Sequence, residues 1–317
     1  MNKDSLPYMA LLAVVLSLTC RPVPVKVSIE WIEANGYRSR PLIYEGVAGG
    51  QFTPVRLSIS GIEAATSISD ERRLENRTLV NGAGVALGDV DGDGWVDIYL
   101  CLLDQPNVLY RNLGGWRFED VTQTSGTGLL GRLSRGAVFA DADGDGDLDL
   151  FVAVHAGSNT LLFNDGTGVF EERSAGFEPQ YGTNTLALAD IDGDSDLDAY
   201  FTNYKNIQGD DLFSPTERNL RGYVQQIGDE LIVLPPYDAH YRLQLVGDRS
   251  LRFELGDPDE FYLNDGSGHF TLVDMTGGMF RTAAGASIAE TQRDWGLVAR
   301  FFDADDDGDP DLYVAND

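Results

Sequence analysis

The chain has 317 residues, of which 43% are hydrophobic, and a formal net charge of −28. This apolar content is ample for the core of one large all-β domain or two ordinary domains, and it excludes a disordered polyanion. The acidic excess excludes nucleic acid as a partner, because phosphate recognition requires clustered lysine and arginine side chains.

Residues 1–20 are predicted to be an export signal, with Lys3 in a short polar start and an apolar run at residues 9–18. This run is too short to span a bilayer, so the mature chain is expected to have no transmembrane helix. Cys20 lies in a context that loosely resembles a bacterial lipoprotein cleavage box, and lipidation of Cys20 and ordinary cleavage nearby are both open alternatives. The protein is therefore expected to be exported to the periplasm, the cell surface or the extracellular space, where a lipid anchor on Cys20 would hold it as a lipoprotein.

The N-terminal segment, residues 21–51, has weak strand signals, one of them at residues 25–32, and a turn at residues 35 and 36. Residues 71–76 form a more polar stretch that tolerates a helix. Cys101 lies in a strand-like run and is predicted to be a small buried hydrophobe. A disulfide between Cys20 and Cys101 is the open alternative.

An acidic motif of nine residues occurs four times and organises the rest of the chain. The copies are loop 1 (89–97, DVDGDGWVD), loop 2 (141–149, DADGDGDLD), loop 3 (190–198, DIDGDSDLD) and loop 4 (303–311, DADDDGDPD). Each loop has aspartate at positions 1, 3, 5 and 9 and glycine at position 4, position 6 or both. Carboxylates at odd positions of a tightly curled loop can converge on one point, and residue 7 can add its backbone carbonyl, which favours Ca²⁺.

Up to four calcium ions are therefore predicted. Sixteen of the 51 acidic residues are the loop aspartates at positions 1, 3, 5 and 9, and a cation would offset their mutual repulsion. The predicted ligands are Asp89, Asp91, Asp93, Trp95 and Asp97 in loop 1, Asp141, Asp143, Asp145, Asp147 and Asp149 in loop 2, Asp190, Asp192, Asp194, Asp196 and Asp198 in loop 3, and Asp303, Asp305, Asp307, Asp309 and Asp311 in loop 4.

The spacing of the loops indicates a structural repeat. Loops 1 and 2 start 52 residues apart, and loops 2 and 3 start 49 residues apart. Each repeat contains four short β-runs separated by turn residues, which is typical of a propeller blade. The sequence therefore predicts an all-β fold, a β-propeller of four-stranded blades, within residues 52–317, with units at about 84–135, 136–185, 186–295 and 296–317.

The third unit is longer than the others, because loops 3 and 4 start 113 residues apart. The additional sequence, an insertion at residues 205–258, mixes aromatic, arginine and proline residues. Long excursions from a rigid scaffold often carry binding sites, but they are also positions where extra sequence is tolerated. Both interpretations are open from the sequence.

Other motifs in the repeats have structural interpretations. A Gly-x-Gly-x-x-Gly match at residues 126–131 has no βαβ surroundings and is predicted to be a turn between blades. The third β-run of each complete unit ends at an asparagine, which a hairpin-type turn follows in the second and third units. The fourth run carries a phenylalanine expected to pack between blades. These residues are Asn112, Asn164 and Asn264, and Phe118, Phe170 and Phe270.

The repeated loops and strands resemble a known family, the FG-GAP or VCBS repeats of calcium-loaded β-propellers. The run at residues 73–122, and the late runs at 259–274 and 296–317, are similar to bacterial members of the cartilage acidic protein family, whose chains usually end in an ASPIC/UnbV domain. The resemblance covers about residues 52–317. It implies a propeller with a Ca²⁺ site in each repeat loop, used for adhesion or extracellular interaction and without established catalytic chemistry.

Two departures from the family pattern stand out. Ser195 occupies position 6 of loop 3, where the other loops have Gly94, Gly146 and Gly308, so loop 3 is expected to be the weakest site if that position requires positive φ. The fourth unit stops after its loop and one further strand, so the sequence is predicted to be an incomplete portion of a larger ring.

The sequence predicts an exported calcium-binding propeller that acts as an extracellular interaction or adhesion module and is not an enzyme, with an extracellular protein or glycan as partner. The alternative is a carbohydrate-binding or carbohydrate-processing propeller with a site built from the insertion, including Tyr223, Tyr237 and Tyr241. The scattered histidines form no catalytic arrangement; they are His155, His240 and His269.

Overall fold

The computed structural model describes residues 32–34, 37–39 and 54–317, apart from residues 179, 229, 247, 248, 279, 283, 284, 290 and 292. The predicted export signal, Cys20 and most of the strand predicted at 25–32 lie outside the described residues. The chain divides into two units, Met1–Pro54 and Val55–Asp317. In the first unit the described residues form one antiparallel hairpin of β1 (Ile32–Ala34) and β2 (Tyr37–Ser39), on either side of the predicted turn.

The second unit begins with short helices, α1 (Leu57–Ser60), α2 (Asp70–Glu75) and a 3₁₀ helix at Arg77–Asn81. The Ser69 side chain caps α2 by accepting a hydrogen bond from the Arg72 N–H at 3.2 Å. Helix α2 therefore covers the stretch that the sequence marks as tolerant of a helix.

Two four-stranded antiparallel sheets follow, each a meander in strand order. A short helix, α3 (Thr122–Ser125), lies between them and ends at Gly126, which has φ 78°, as the predicted turn between blades requires. Sheet I contains β3 (Val85–Gly88), β4 (Asp97–Leu100), β5 (Val108–Asn112) and β6 (Phe118–Asp120), and sheet II contains β7 (Leu133–Ala140), β8 (Asp149–His155), β9 (Thr160–Asn164) and β10 (Phe170–Glu172).

Sheet III is interrupted by the insertion. It starts with β11 (Thr183–Ala189) and β12 (Asp198–Asn203) and finishes with two strands that follow residue 258. The insertion forms α4 (Gly209–Leu212), α5 (Leu220–Tyr223), a hairpin of β13 (Val224–Ile227) and β14 (Glu230–Val233), a 3₁₀ turn at Tyr237–Ala239, and a hairpin of β15 (Tyr241–Val246) and β16 (Arg249–Glu254). Sheet III then ends with β17 (Glu260–Asn264), which pairs directly with β12, and β18 (Phe270–Leu272).

A 3₁₀ turn at Met275–Gly277 precedes a last hairpin of β19 (Gly296–Phe302) and β20 (Asp311–Asn316). This last hairpin holds loop 4 in the same way that the first two strands of each sheet hold loops 1 to 3. The fold is all-β and blade-like, as predicted. No closed ring is formed by the part of the chain that the structure describes.

Both faces of each inner sheet are buried, and the alternation of side chains along a strand explains how. In β8, Leu150, Val152 and Val154 belong to the apolar cluster shared with sheet I, whereas Phe151 and Ala153 belong to the cluster shared with sheet III. A third cluster joins sheet III to the last hairpin through Tyr200 and Phe261. The strands are therefore apolar at consecutive positions, since each face packs on a neighbouring sheet.

Two of the three phenylalanines of the fourth strands pack between sheets as predicted, whereas Phe118 of sheet I is only half-buried. Phe170 of sheet II joins the cluster shared with sheet I, and Phe270 of sheet III contacts Phe151 of sheet II with ring centroids 5.6 Å apart. Cys101 is 2% exposed, and burial raises the pKa of its thiol to about 12, which confirms the predicted buried hydrophobe. The alternative disulfide partner, Cys20, lies outside the described residues.

The first strands of successive sheets approach so closely that glycine is required. A Cβ atom on Gly84 would lie 2.8 Å from the carbonyl oxygen of Arg135, and one on Gly136 would lie 2.9 Å from that of Asn184. Gly84 and Gly136 occupy the same position, five residues before their loops. The backbone N–H of Gly84 also donates to the Arg135 carbonyl at 2.5 Å.

The insertion buries the aromatic side chains that the carbohydrate hypothesis requires at the surface. Tyr223 is 0% exposed and Tyr241 is 2% exposed. Tyr223 stacks on Tyr237 with ring centroids 4.5 Å apart, and the Arg252 guanidinium covers the ring of Tyr241. The expected sugar platform is absent at these tyrosines, because they form the core of the insertion itself.

Two buried carboxylates lie where β17 begins. Tyr262 and Asn203 side chains donate to Glu260 at 2.8 and 3.1 Å, and the Tyr200 hydroxyl and Asn203 N–H donate to Asp259 at 2.9 and 2.6 Å. Burial nevertheless raises the pKa of Glu260 to about 7 and that of Asp259 to about 6.

We predict that Glu260→Gln flattens the pH dependence of stability between pH 4.5 and 7. The pKa of Glu260 is higher in the folded chain than the ordinary value of 4.5, so the native state binds the proton more tightly. The free energy of unfolding must then fall as pH rises through this window, by roughly 2 kcal/mol for this group. Urea unfolding at pH 5 and pH 7.5, with calcium held constant, measures the difference in the free energy of unfolding. The control is Glu119→Gln, a substitution of an exposed carboxylate. An equal change with pH in the wild type and in Glu260→Gln would contradict the prediction.

Candidate metal centres

The four aspartate loops all connect the first and second strands of a sheet or hairpin. Position 1 follows the first strand directly, and position 9 is the first residue of the second strand. Those position 9 residues are Asp97 of β4, Asp149 of β8, Asp198 of β12 and Asp311 of β20. The strands thus fix both ends of each loop.

The carboxylate at position 1 curls the loop by accepting two backbone hydrogen bonds. In loop 2 Asp141 accepts from the N–H groups of Gly144 at 2.8 Å and Gly146 at 3.0 Å. In loop 1 Asp89 accepts from Asp93 at 3.1 Å and Gly94 at 2.8 Å. Asp190 and Asp303 make the equivalent pairs of bonds in loops 3 and 4.

Both position 4 and position 6 adopt positive φ in every loop. The position 6 residues are Gly94, Gly146, Ser195 and Gly308, with φ of 89°, 94°, 82° and 99°. Ser195 therefore does occupy a left-handed conformation that favours glycine. The requirement for positive φ at position 4 was missed in the sequence analysis. Loops 1 to 3 have glycine at this position, namely Gly92, Gly144 and Gly193, whereas loop 4 has Asp306 with φ 63°.

In loops 1 to 3 the carboxylate at position 9 is fully buried, whereas Asp311 of loop 4 is exposed. Asp149 is 0% exposed and accepts from the N–H groups of Ala142 and Asn164, both at 2.9 Å. Burial raises the pKa of Asp149 to about 6, and these two hydrogen bonds oppose that rise. Asp97 and Asp198 are equally buried and make the corresponding bonds.

Three carboxylates converge in each loop, with one oxygen atom from each lying within 4.8 Å of the other two. This spread is about twice the Ca²⁺–oxygen distance of ~2.4 Å, so one ion can contact all three. The groups are Asp89, Asp91 and Asp97; Asp141, Asp143 and Asp149; Asp190, Asp192 and Asp194; and Asp303, Asp305 and Asp311.

The remaining predicted ligands lie in the same loops but outside these groups. Position 5 belongs to the group only in loop 3, where it takes the place of position 9. At position 7, the Trp95 side chain lies against Gly114, and the Asp147 and Asp196 carboxylates lie against Gly166 and Gly266. The part of residue 7 that the prediction assigns to the metal is its backbone carbonyl, in Trp95, Asp147, Asp196 and Asp309, and this stays a prediction.

The charges within the loops repel one another. The pKa of Asp305 is raised first by the neighbouring carboxylate of Asp307, and that of Asp143 is raised by burial and then by Asp145. Protein cations offset this repulsion only in part, through Arg111, whose Nε lies 2.7 Å from Asp91, and Arg173, which lies 4.0 Å from Asp143. An oxygen-rich, anionic donor set of this kind fits a hard divalent cation.

An asparagine at the end of the third strand holds each of loops 1 to 3, a role that the sequence analysis missed. The Asn164 N–H donates to Asp149, and its side-chain Nδ2 donates to the carbonyls of Leu148 at 3.2 Å and of Val90 in loop 1 at 2.8 Å. Asn264 likewise reaches the Ala142 carbonyl of loop 2 at 2.8 Å. The recurrence of asparagine at this position was the available signal, but it predicted only a turn.

Comparison with known proteins finds similarity in the part of the chain that contains these loops. A family model described as an FG-GAP-like repeat matches residues 89–152 and 141–201, stretches that begin at the first carboxylates of loops 1 and 2. Cartilage acidic protein 1 of Homo sapiens and that of Mus musculus are both 28% identical to the chain over 186 residues, which is 56% of this chain and 27% of either relative. Cartilage acidic protein 1 of Xenopus tropicalis is 27% identical over 147 residues, 45% of this chain and 22% of that protein. The chain thus spans about a quarter of the length of these curated relatives.

We predict that Asn164→Ala destabilises the protein by roughly 3 kcal/mol. The substitution leaves the carbonyls of Val90 and Leu148 and the N–H of Gly168 without their partner. Asn112→Ala is the matched control, because Asn112 is partly exposed and its Nδ2 bonds only within its own sheet, to Val96 at 2.8 Å. We expect it to cost about 1 kcal/mol in urea unfolding; equal losses would contradict a role in joining sheets.

We predict that Ser195→Gly stabilises loop 3 by about 0.5–1 kcal/mol. Relief of a left-handed conformation outweighs the added freedom of the unfolded chain. The reciprocal substitution, Gly146→Ser in loop 2, should destabilise by a similar amount. Thermal unfolding of both variants gives the two signs, and a stabilising Gly146→Ser would show that φ at position 6 does not limit these loops.

Proposed function

Because this chain contains FG-GAP-like repeats in an all-β fold of blade-like sheets, we propose that it is an exported calcium-binding module of a β-propeller, used for extracellular interaction or adhesion. The observation that carries the proposal is the convergence of three aspartates in each of four loops of the same construction. Turn composition alone does not produce four loops with one ligand spacing and one backbone conformation.

The proposed role of Ca²⁺ is structural. Up to four ions would be held by the convergent carboxylates, with the carbonyls at position 7 completing the coordination. Each ion would offset the repulsion between carboxylates and tie the first strand of a sheet to the second. Because Asn164 and Asn264 connect loops 1 and 2 to the next sheet, loss of one ion would weaken the contact between two sheets.

The proposed interaction surface is the insertion of sheet III. Its first hairpin, β13–β14, exposes apolar side chains on a short two-stranded ribbon, with Ile227, Leu231 and Ile232 at 55%, 42% and 39% exposed. Exposed apolar side chains on an excursion from a rigid scaffold are suited to contact a partner protein. The proposed partner is an extracellular protein or glycan, and the role includes no catalytic step.

Export and anchoring are part of the same proposal. None of the helices that the structure describes has the length and apolar character needed to cross a bilayer. Attachment at the cell surface would depend on lipidation of Cys20, and release into the periplasm or the extracellular space on ordinary signal cleavage. The carbohydrate alternative is not favoured, since Tyr223 and Tyr241 are buried.

Calcium removal tests the proposed function. We expect EGTA to lower the thermal unfolding temperature of the wild-type protein by several degrees, because the loop carboxylates lose their counter-ion. Asp141→Asn should bind one calcium fewer by elemental analysis and should be destabilised in calcium but not in EGTA. Glu119→Gln, an exposed change of the same charge outside the loops, is the control.

Two outcomes would contradict the proposal. One is an unfolding temperature unaffected by EGTA together with no calcium in the purified protein. The other is an equal loss of stability by Asp141→Asn with and without EGTA, which would assign Asp141 to packing alone. Affinities of ~10⁻⁴ to 10⁻³ M are sufficient for an extracellular module, so the calcium measurements are made at millimolar concentration.

A further inference from the structure

A β-bulge recurs at the start of the first strand in sheet II, in sheet III and in the last hairpin. The register shifts between Ser134 and Gly136 in β7, and at the equivalent places in β11 and β19. The extra residues are Arg135, Asn184 and Leu297, each six residues before the first aspartate of its loop. Bulges redirect a side chain away from the pleated surface and are frequent next to functional sites.

The three bulge residues contact one another in sequence. Arg135 Nη1 lies 3.5 Å from Asn184 Oδ1, and Asn184 Nδ2 donates to the Leu297 carbonyl at 2.8 Å. These contacts run across the ends of three successive strands, about 20 Å along an extended strand from the metal loops. The bulges therefore build a polar row at the opposite end of the sheets from the calcium sites.

Arg135 is a buried cation without a counter-ion. Its side chain is only 3% exposed, and no carboxylate of the described residues lies within 4.0 Å of it. Nη2 donates to the Thr78 carbonyl, the contact of Nη1 with Asn184 is long, and Nε has no hydrogen-bond partner. A buried, uncompensated guanidinium is costly in a protein unless an anion accompanies it.

The groups around Arg135 are neutral. His155 is 1% exposed, and burial together with the charge of Arg135 lowers the pKa of its imidazole to about 3. Its Nε2 lies 3.1 Å from Thr78 Oγ1, and its Nδ1 has no partner. The exposed carboxylate of Asp317 reaches this region only through the Tyr204 hydroxyl, which donates to it at 2.7 Å. The described residues therefore do not neutralise Arg135.

A recess of about 230 Å³ lies at the bulge row and is lined by both Arg135 and Asn184. The rest of its wall is the small side chains and backbone where the first strands begin, at residues 81–85, 136, 137 and 185. Gly82 faces open space, whereas Gly84 and Gly136 mark the close approach of neighbouring backbones. The volume is sufficient for a small organic acid or for one acidic side chain.

We propose that this recess binds a carboxylate, held by the Arg135 guanidinium and the Asn184 amide. One fixed positive charge among neutral donors matches a singly charged carboxylate better than a doubly charged phosphate. The ligand replaces the long contact between Nη1 and Asn184 and compensates the buried charge. The site is separate from the metal loops and does not depend on the proposed role of calcium.

Acetate is the probe, used on the full chain with calcium present and ionic strength held at about 0.15 M with sodium chloride. We expect acetate at ten times its dissociation constant to raise the unfolding temperature by about 3 °C. Isothermal titration should give one site. An equal rise in chloride or phosphate would overturn the proposal, as would the absence of any response to acetate.

Asn184→Asp is the most informative variant, since it places a carboxylate beside Arg135 permanently. We expect this variant to be more stable than wild type without acetate and to lose the response to acetate. Asn184→Ala is the matched control, with neither the added charge nor the added stability. Arg135→Gln should also lose the response, and if it does not fold, the pair of Asn184 variants decides. A wild-type response to acetate in Asn184→Asp would overturn the proposal.

Discussion

The structure depends on the capture of backbone N–H groups by loop carboxylates. In each loop the aspartate at position 1 accepts two N–H groups from within the loop, and the aspartate at position 9 of loops 1 to 3 accepts one from the loop and one from the third strand. Asp149 shows the consequence, since its burial and its two hydrogen bonds fix the loop to the sheet. A metal ion would therefore meet a largely preformed donor set.

The same hydrogen bonds connect one sheet to the next. Asn164 and Asn264 bind the loop of the preceding sheet through Nδ2, while the side chains of β8 alternate between the two neighbouring sheets. Polar contacts at the loop end and apolar contacts along the strands act in parallel. Each sheet is thus stabilised mainly by its neighbours, as in other repeat architectures.

The two ends of the sheets differ in charge. The loop end concentrates aspartates, and the bulge end buries Arg135 with no carboxylate of the described residues within 4.0 Å. Both arrangements leave a charge that the described residues do not neutralise, and ligands of opposite sign would neutralise the two. A small cation at one end and a carboxylate at the other would each complete the electrostatics of a rigid scaffold.

The sequence by itself determined the repeat, the blade-like all-β fold and the loops where carboxylates converge. These features depend on spacing along the chain, and period-two apolar runs and aspartates at odd loop positions carry that information locally. It also pointed to position 6 of loop 3, because a requirement for positive φ at Ser195 is a local property of the backbone.

Only the tertiary structure decided the roles that depend on neighbouring sheets. From the sequence Asn164 was predicted only to be a turn residue, and the structure shows that it donates to a carbonyl of the preceding sheet. Tyr223 was a candidate for sugar binding, and the structure shows that it is buried within the insertion. Arg135 has no motif at all, since its isolation follows from a bulge and from which side chains surround it. Burial and partners arise from contacts between residues distant in sequence, which spacing along one chain does not encode.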